Sequence, residues 1–357
     1  MRTLLLSLLL ICRLAAAGDI PAYANPHART QPVIAVVGYN GGTELTDFAI
    51  PYGVLARSGA AEVIAVATQS GPMTMRPTLR IQPRDTITSF DARYPEGADY
   101  VIVPAVVKPN DVTLVSWVAA QGAKGATIVS ICDGALVAAN AGVFKGRRAT
   151  AHWATGDYRR QHYPDTAWQD NVRYVADGRV ISSAGVSAAM PTALALVEAI
   201  AGKTRATEVA SEIGVSEWGT AHNSDIFHPR LGVNLGAYLT GYTNQWFHTP
   251  ERIGLPVDAG VDEITLAFTA DAWARSRRSQ VYAVAASTAG MQSAHGLTIL
   301  PDYAAADAQA PQTPQALPLA ATLPGQALDR ALETLAQRYG HNTAFLVALE
   351  LEYPAYR

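Results

Sequence analysis

Residues 128 to 134 read IVSICDG, an apolar run that ends on a cysteine two residues before a glycine, and the helix-forming run LVAANAG follows from Leu136. A strand that stops at Ile131 and a helix that starts within three residues leave room only for a tight turn. Gly134, with no Cβ, lets the neighbouring backbone approach closely there. A side chain at such a corner projects into the crevice at the carboxyl ends of the strands, where open α/β sheets bind ligands. The amides of Asp133 and Gly134 open the helix, and its dipole favours a thiolate or an oxyanion at that point. A thiol with a lowered pKa is a usable nucleophile at neutral pH. The competing reading of Cys132 is a buried, inert small hydrophobe.

The same alternation extends outward in both directions. PVIAVVGY from Pro32, EVIAVAT from Glu62, DYVIVP from Asp99 and ATIVSIC from Ala126 are apolar strand patterns. Between them, LTDFAIPYGVLARSG reads as a helix closed by Gly59, and a second helix is expected from Asn110 to Ala120. Asp177-Gly178 between two β-rich runs predicts a tight hairpin, and PTALALVEAIAG a helix ending at Gly202. Strands alternating with helices predict a parallel sheet covered on both faces, a three-layer α/β/α sandwich of the flavodoxin-like kind.

The chain echoes itself. VIAVATQSGPMTMRPTLRIQP from Val63 aligns without gaps on VYAVAASTAGMQSAHGLTILP from Val281, an offset of 218. ALALVEAIAGKTRATEVA from Ala193 aligns on ALETLAQRYGHNTAFLVA from Ala331, an offset of 138. The smaller second offset means that the second copy is the shorter one between these matches, and what it lacks is the part that carries the cysteine. This divides the chain into a leader at 1–24, a first α/β domain at 32–202, a connecting segment at 203–261 and a reduced second α/β copy at 262–357. The Ala/Pro/Gln-rich stretch 304–325 is expected to be an extended surface loop.

Of 357 residues, 49% are hydrophobic and 16% charged, with a formal net charge of -3. That suits a well-packed soluble protein and argues against nucleic acid as a partner, since no basic excess is present to neutralise phosphates. The leader has Arg2, an apolar stretch from Leu4 to Cys12 and small residues after it, with cleavage expected after Ala17 or Ala24. Nine apolar residues fall short of the roughly 20 that span a bilayer. A periplasmic or secreted protein without stable membrane insertion is the expectation. Cleavage would leave Cys132 as the single thiol, so no internal disulfide is expected.

SICDGALVAANAGVFKGRRATAHW, together with ADGRVISSAGVSAAMPTALALVEAI, resembles the nucleophile elbow of the ThiJ/PfpI superfamily, a branch of the class I glutamine-amidotransferase-like fold. Within it the resemblance is nearest to the isocyanide-hydratase-like group and to the amidase-like domain of AraC-type regulators. TDFAIPYGVL resembles that family's early helix, with an acid four residues before a proline, and the final LVALELEYPAY resembles the end of the hydratase-like chains. The resemblance implies Cys132 as nucleophile, Asp47 as the acid that handles its proton, His152 near the site and the backbone amides of Asp133 and Gly134 as anion binders. It implies no cofactor and no metal. Asp47 also reads as a helix cap, and His152 beside Trp153 as a packed histidine.

Three departures stand out. Asp133 follows the cysteine where hydratase-like members carry a small or hydroxylated residue, Ala105-Val106 stands where a Gly-Gly turn is usual, and Pro191 replaces an acid of the last helix. A carboxylate sharing a pocket with a thiol raises its pKa. Two expectations follow. One is an exported, cofactor-independent cysteine enzyme, of hydratase, lyase or amidohydrolase-like type, attacking a small electrophilic substrate. The other is a non-catalytic ligand-binding or redox-sensing pseudoenzyme of the same fold. Its assembly would be a homodimer or an internal pseudo-dimer of the two copies. The helix-turn-helix rhythm at 209–219 and the His222, Asp225, His228 spacing are read as structural rather than as DNA-binding or metal sites.

Overall fold

The computed structural model describes residues 20–314, 317 and 322–357. The expected leader therefore lies outside the described residues up to position 19, as does part of the loop expected at 304–325.

The first half is built on β1 (Val33–Gly38), α1 (Leu45–Arg57), β2 (Glu62–Ala67), β3 (Met73–Arg76), β4 (Arg80–Gln82), β5 (Asp85–Thr86), α2 (Ile87–Arg93), β6 (Tyr100–Val103), α3 (Val112–Ala123), β7 (Thr127–Ser130), α4 (Gly134–Asn140), α5 (Gly156–His162), β8 (Tyr174–Asp177), β9 (Val180–Ser183) and α6 (Ala189–Ile213). Seven strands form one sheet in the order β8-β9-β7-β6-β1-β2-β5. All neighbours are parallel except the β8–β9 hairpin, where Asp177 faces Val180 across the expected turn. β1 and β6 are buried throughout, as a parallel strand covered on both faces must be. α3 begins two residues later than its sequence pattern suggests, because Asp111 caps it by accepting from the Thr113 and Leu114 amides.

α1 sits at the centre of the molecule. Phe48, Ile50, Val54 and Leu55 are fully buried, each contributing roughly 1.5–3 kcal/mol relative to exposure. Pro51 lies inside the helix and has no N–H to give to the Asp47 carbonyl, so one intrahelical bond is missing at that turn.

The second half repeats this plan. α7 (Leu235–Phe247) connects to β10 (Glu251–Pro256), α8 (Glu263–Arg275), β11 (Ser279–Ala285), β12 (Met291–Gln292), β13 (Thr298–Ile299), β14 (Tyr303–Ala304), α9 (Ala327–Tyr339) and α10 (His341–Glu350). β10 follows β1, and α8 follows α1, at the same offset of 218 that aligns the sequences. α6 and the α9–α10 pair keep the offset of 138, including its interruption: Gly202 (φ 84°, ψ 166°) and Gly340 (φ 90°, ψ 156°) break the two helices at the same place. α6 therefore does not end at Gly202 but resumes to Ile213, and 209–219 is the end of that helix followed by coil.

A strand, β10, already pairs with β11 from Glu251, ahead of the boundary expected at residue 262. Two charges at its start, with Gly254 and Pro256 inside, hide β10 from a β-pattern reading. β10, β11 and β14 form a parallel three-stranded sheet, and β13 pairs antiparallel with β4 of the first half. α8 lies along α1, burying Ile264, Ala267 and Phe268 in one core with it.

Candidate active site

The elbow forms at the end of β7. Ile131 N–H donates to Val103 O (3.0 Å), Cys132 N–H to Ala184 O (3.1 Å) and Gly134 N–H back to Ile131 O (2.8 Å). These three bonds force Cys132 into the left-handed region at φ 55°, which costs a non-glycine residue about 1–2 kcal/mol. A Cβ on Gly134 would come within 1.9 Å of Val103 O, so no other residue fits that position. Cys132 is 7% exposed and free of any disulfide.

Asp47 projects from the first turn of α1 and is wholly buried. Its Oδ2 accepts from the Ala105 amide (3.1 Å), while Oδ1 is buried without a hydrogen-bond partner. The segment 105–107 forms a strap. Glu44 N–H donates to Ala105 O (2.8 Å), Val106 bridges Thr43, and Val107 N–H donates to Gly42 O (3.0 Å).

Burial pushes the Asp47 carboxyl well above its ordinary range, and the charge of Glu44 adds to the effect. Glu44 itself is pushed up to about 7 by burial, against the lowering effect of Arg275. Arg275, from the second half, contacts Glu44 and pairs with Asp271 (Nε to Oδ1, 2.7 Å), while Thr46 donates to the other Asp271 oxygen (3.0 Å). Burial also raises the Cys132 thiol, followed by the carboxylates of Asp47, Asp133, Glu44 and Glu352.

Asp133 is held aside from its neighbour. Thr155 Oγ1 donates to its Oδ1 (2.6 Å), and the buried Arg159 guanidinium lies 3.9 Å away. Arg159 also donates to His152 O and is stacked on Trp168 at 4.9 Å. The Gly134 amide, expected to bind an anion, already serves Ile131 O, which leaves the Asp133 amide of that pair. His152 is engaged at both ring nitrogens: Nδ1 accepts from Ala154 N–H (3.2 Å), so Nε2 carries the proton given to Glu350 O (3.1 Å). The ring therefore sits at the site as a bonded wall. Pro191 falls in the first turn of α6, where its missing N–H breaks no helical bond.

The sequence reading missed Glu352. It is fully buried, and its carboxylate accepts from Trp153 N–H (2.6 Å), Gly185 N–H (2.7 Å) and His222 Nε2 (3.1 Å). His222, which the spacing with Asp225 and His228 had brought forward, is thus tied to this carboxylate. Burial pushes Glu352 up, but the His222 hydrogen bond, the imidazoles of His152 and His222 and the Gly185 amide outweigh it and hold the carboxyl below its usual range.

A cysteine on a left-handed strand-to-helix corner, with a buried acid from the first helix of a parallel α/β sandwich as the charge acting most on its thiol, defines a cysteine-elbow protein. The chain belongs to the DJ-1/PfpI family, whose model matches residues 33–199. It is 30% identical to the isonitrile hydratase of Pseudomonas putida over 161 residues, 44% of this chain and 67% of that protein. It is 33% identical to the HTH-type transcriptional regulator CdhR of Pseudomonas aeruginosa over 99 residues, 28% of this chain and 29% of the regulator. Among solved structures, Drosophila melanogaster DJ-1beta is similar over 52% of this chain and 100% of its own, at 24% identity and a TM-score of 0.48.

Proposed function

We propose that the protein is a cysteine-dependent hydratase of a small electrophilic carbon, with the isonitrile group as substrate class. The observation that carries this reading is the corner that holds Cys132 at φ 55°, together with the buried Asp47 carboxyl, whose charge acts most on the thiol and whose Oδ1 has no hydrogen-bond partner. Two such groups titrate as a pair and share protons. With the proton on Asp47, the carboxyl adds no charge against the sulfur and keeps a proton ready for the reaction.

The reaction closes on these two residues. The Cys132 thiolate attacks the terminal carbon of R–N≡C, and that carbon takes the Asp47 proton, giving an enzyme-bound thioimidate, R–N=CH–S. The Asp47 carboxylate then removes a proton from water as its oxygen adds to the same carbon. Collapse expels the Cys132 thiolate while the hydroxyl proton passes to nitrogen, and R–NH–CHO leaves. The Asp133 amide is the donor for charge that develops on the way. His152 and Arg159 hold the wall, and no step requires a metal or an organic cofactor.

Similarity to the isonitrile hydratase of Pseudomonas putida supports this choice of substrate class. The test is formamide production from a small isonitrile by the purified protein and by Cys132→Ala and Asp47→Asn. Turnover that survives either substitution removes that residue from the mechanism.

Burial and the four carboxylates that raise Cys132 favour a second reading, a redox-sensing or ligand-binding pseudoenzyme. It predicts a reversible sulfenic acid on Cys132 under mild peroxide and no turnover.

Export is also part of the proposal, with cleavage after Ala17 rather than Ala24. Tyr23 supports the earlier site, since its amide donates to Ala199 O (2.9 Å) and its hydroxyl to Asp99 (2.9 Å). The mass of the mature chain from its native host decides between the two, and a retained Met1 would remove export.

A further inference from the structure

Glu352 raises a question that the first half of the chain answers by contrast. It lies at the end of α10 in the left-handed region, φ 51°. Its counterpart in the first copy, at the end of α6 and at the same offset of 138, is Gly214 with φ 78°. The first copy uses the residue that adopts this conformation without cost, whereas the second keeps a long carboxylate there against backbone strain. The carboxylate does not serve its own helix. It crosses over to take the amides of Gly185 and Trp153 in the first half and the ring of His222 in the segment after α6. Ser187 Oγ and Ser187 N–H close the same contact on the carbonyls of Glu352 and Leu351.

The link to the elbow is a single peptide plane. The Ala184–Gly185 peptide accepts the Cys132 N–H on its carbonyl (3.1 Å) and donates its own N–H to Glu352 Oε2 (2.7 Å). An ionised acceptor on the N–H polarises the peptide and strengthens its carbonyl as an acceptor. Gly185 is the residue that allows this approach, because a Cβ there would lie 2.7 Å from His152 and 2.8 Å from the Glu352 carboxyl.

We infer that Glu352 is a positioning residue of the Cys132 site, delivered by the second α/β part, and that its role there is to hold the Ala184–Gly185 peptide against the elbow. The inference rests on Cys132 being the reactive group. The charged and titratable groups around that sulfur are Asp47 and Glu44 from the α1 side, Asp133 on the elbow and Glu352 from the tail, with His152, His222 and Arg159 behind Asp133 and Glu352.

The test compares the full-length chain with Glu352→Gln and Glu352→Asp. Two readouts are followed: iodoacetamide alkylation of Cys132 from about pH 4 to 10, and amide hydrogen exchange of the segments 151–156 and 183–187. In Glu352→Gln the alkylation midpoint is expected to fall by about half a pH unit or more, since a negative charge leaves the sulfur. Exchange at 183–187 should rise several-fold. Glu352→Asp should keep the midpoint near the wild type and still raise exchange, because the shortened side chain retains the charge and loses reach. A folded Glu352→Gln protein with an unmoved midpoint and unmoved exchange would overturn the inference. If the glutamine variant does not fold, Glu352→Asp with unchanged exchange at 183–187 overturns it equally. A wild-type Cys132 that resists alkylation at every pH would instead remove the nucleophile reading, and the exchange data would still decide the role of Glu352.

Discussion

Ile81 lies across an antiparallel ladder from Ile299, the residue that holds its own place in the second half. The same reciprocity governs the ion pairs between the halves. Arg57 pairs with Asp262 and Arg275 with Glu44, and in the aligned copies Arg275 stands at the place of Arg57 and Asp262 at the place of Glu44. Pairs of this kind define an isologous interface, here between two parts of one chain. Among the described residues, the two aligned parts of the chain thus meet through matched positions.

Arg275 is the cation that faces Glu44 and the fully buried Asp271. Arg275→Met leaves two carboxylates without their counter-charge and should destabilise the chain by about 3–5 kcal/mol. Chemical denaturation checks this, and the deficit should shrink toward acid pH, where the carboxylates take up protons.

Glu44 gives wild-type stability a definite pH dependence. Its folded pKa, about 7, lies above the ordinary 4.5, so the folded state binds this proton more tightly than the unfolded chain does. The resulting stabilisation is complete below about 4.5 and is lost as pH rises toward about 7. Glu44→Gln should flatten the stability profile across that window, and unfolding midpoints measured at several pH values would show it.

Cys132 holds its sharp corner at the cost of backbone strain. Cys132→Gly relieves the left-handed penalty and Cys132→Ala does not, so the glycine variant should be more stable than the alanine variant by about 0.5–1 kcal/mol. Both should be inactive. Gly134→Ala has no such tolerance: with a Cβ 1.9 Å from Val103 O, the elbow cannot close, and loss of soluble protein or more than about 3 kcal/mol of stability is expected.

Asp133 follows the cysteine directly and adds a carboxylate to the elbow. After burial and Asp47, its charge raises the Cys132 thiol further, although Thr155 and Arg159 draw it aside. Asp133→Ser should shift the alkylation profile of Cys132 to lower pH and raise its rate near neutrality. An unshifted profile would mean that Arg159 already cancels the charge at the sulfur.

Local pattern carried most of the fold. Apolar strands between amphipathic helices, the Asp177-Gly178 hairpin and the two sequence offsets were legible because short-range periodicity and a gapless repeat encode them. Cys132, Asp47 and Gly134 were legible through the elbow and the acid–proline spacing. The partners that complete the site were not. Glu352 comes from the far end of the chain, and Arg275 is 231 positions from Glu44. Their roles exist only once the second half folds back across α1. The single sequence signal for Glu352 was the terminal LELEYPAY run, together with the glycine that stands at its place in the first copy.

The central claim is that Cys132 and Asp47 form one proton-sharing nucleophilic pair, and the most direct test is the rate of Cys132 alkylation against pH in the wild type and in Asp47→Asn. The account predicts a wild-type profile that departs from a single titration step and becomes simpler and shifted when Asp47 is replaced, with a slower thiolate reaction once the carboxyl proton is gone. A profile identical in the two proteins, or a thiol inert up to about pH 10 in both, would contradict it.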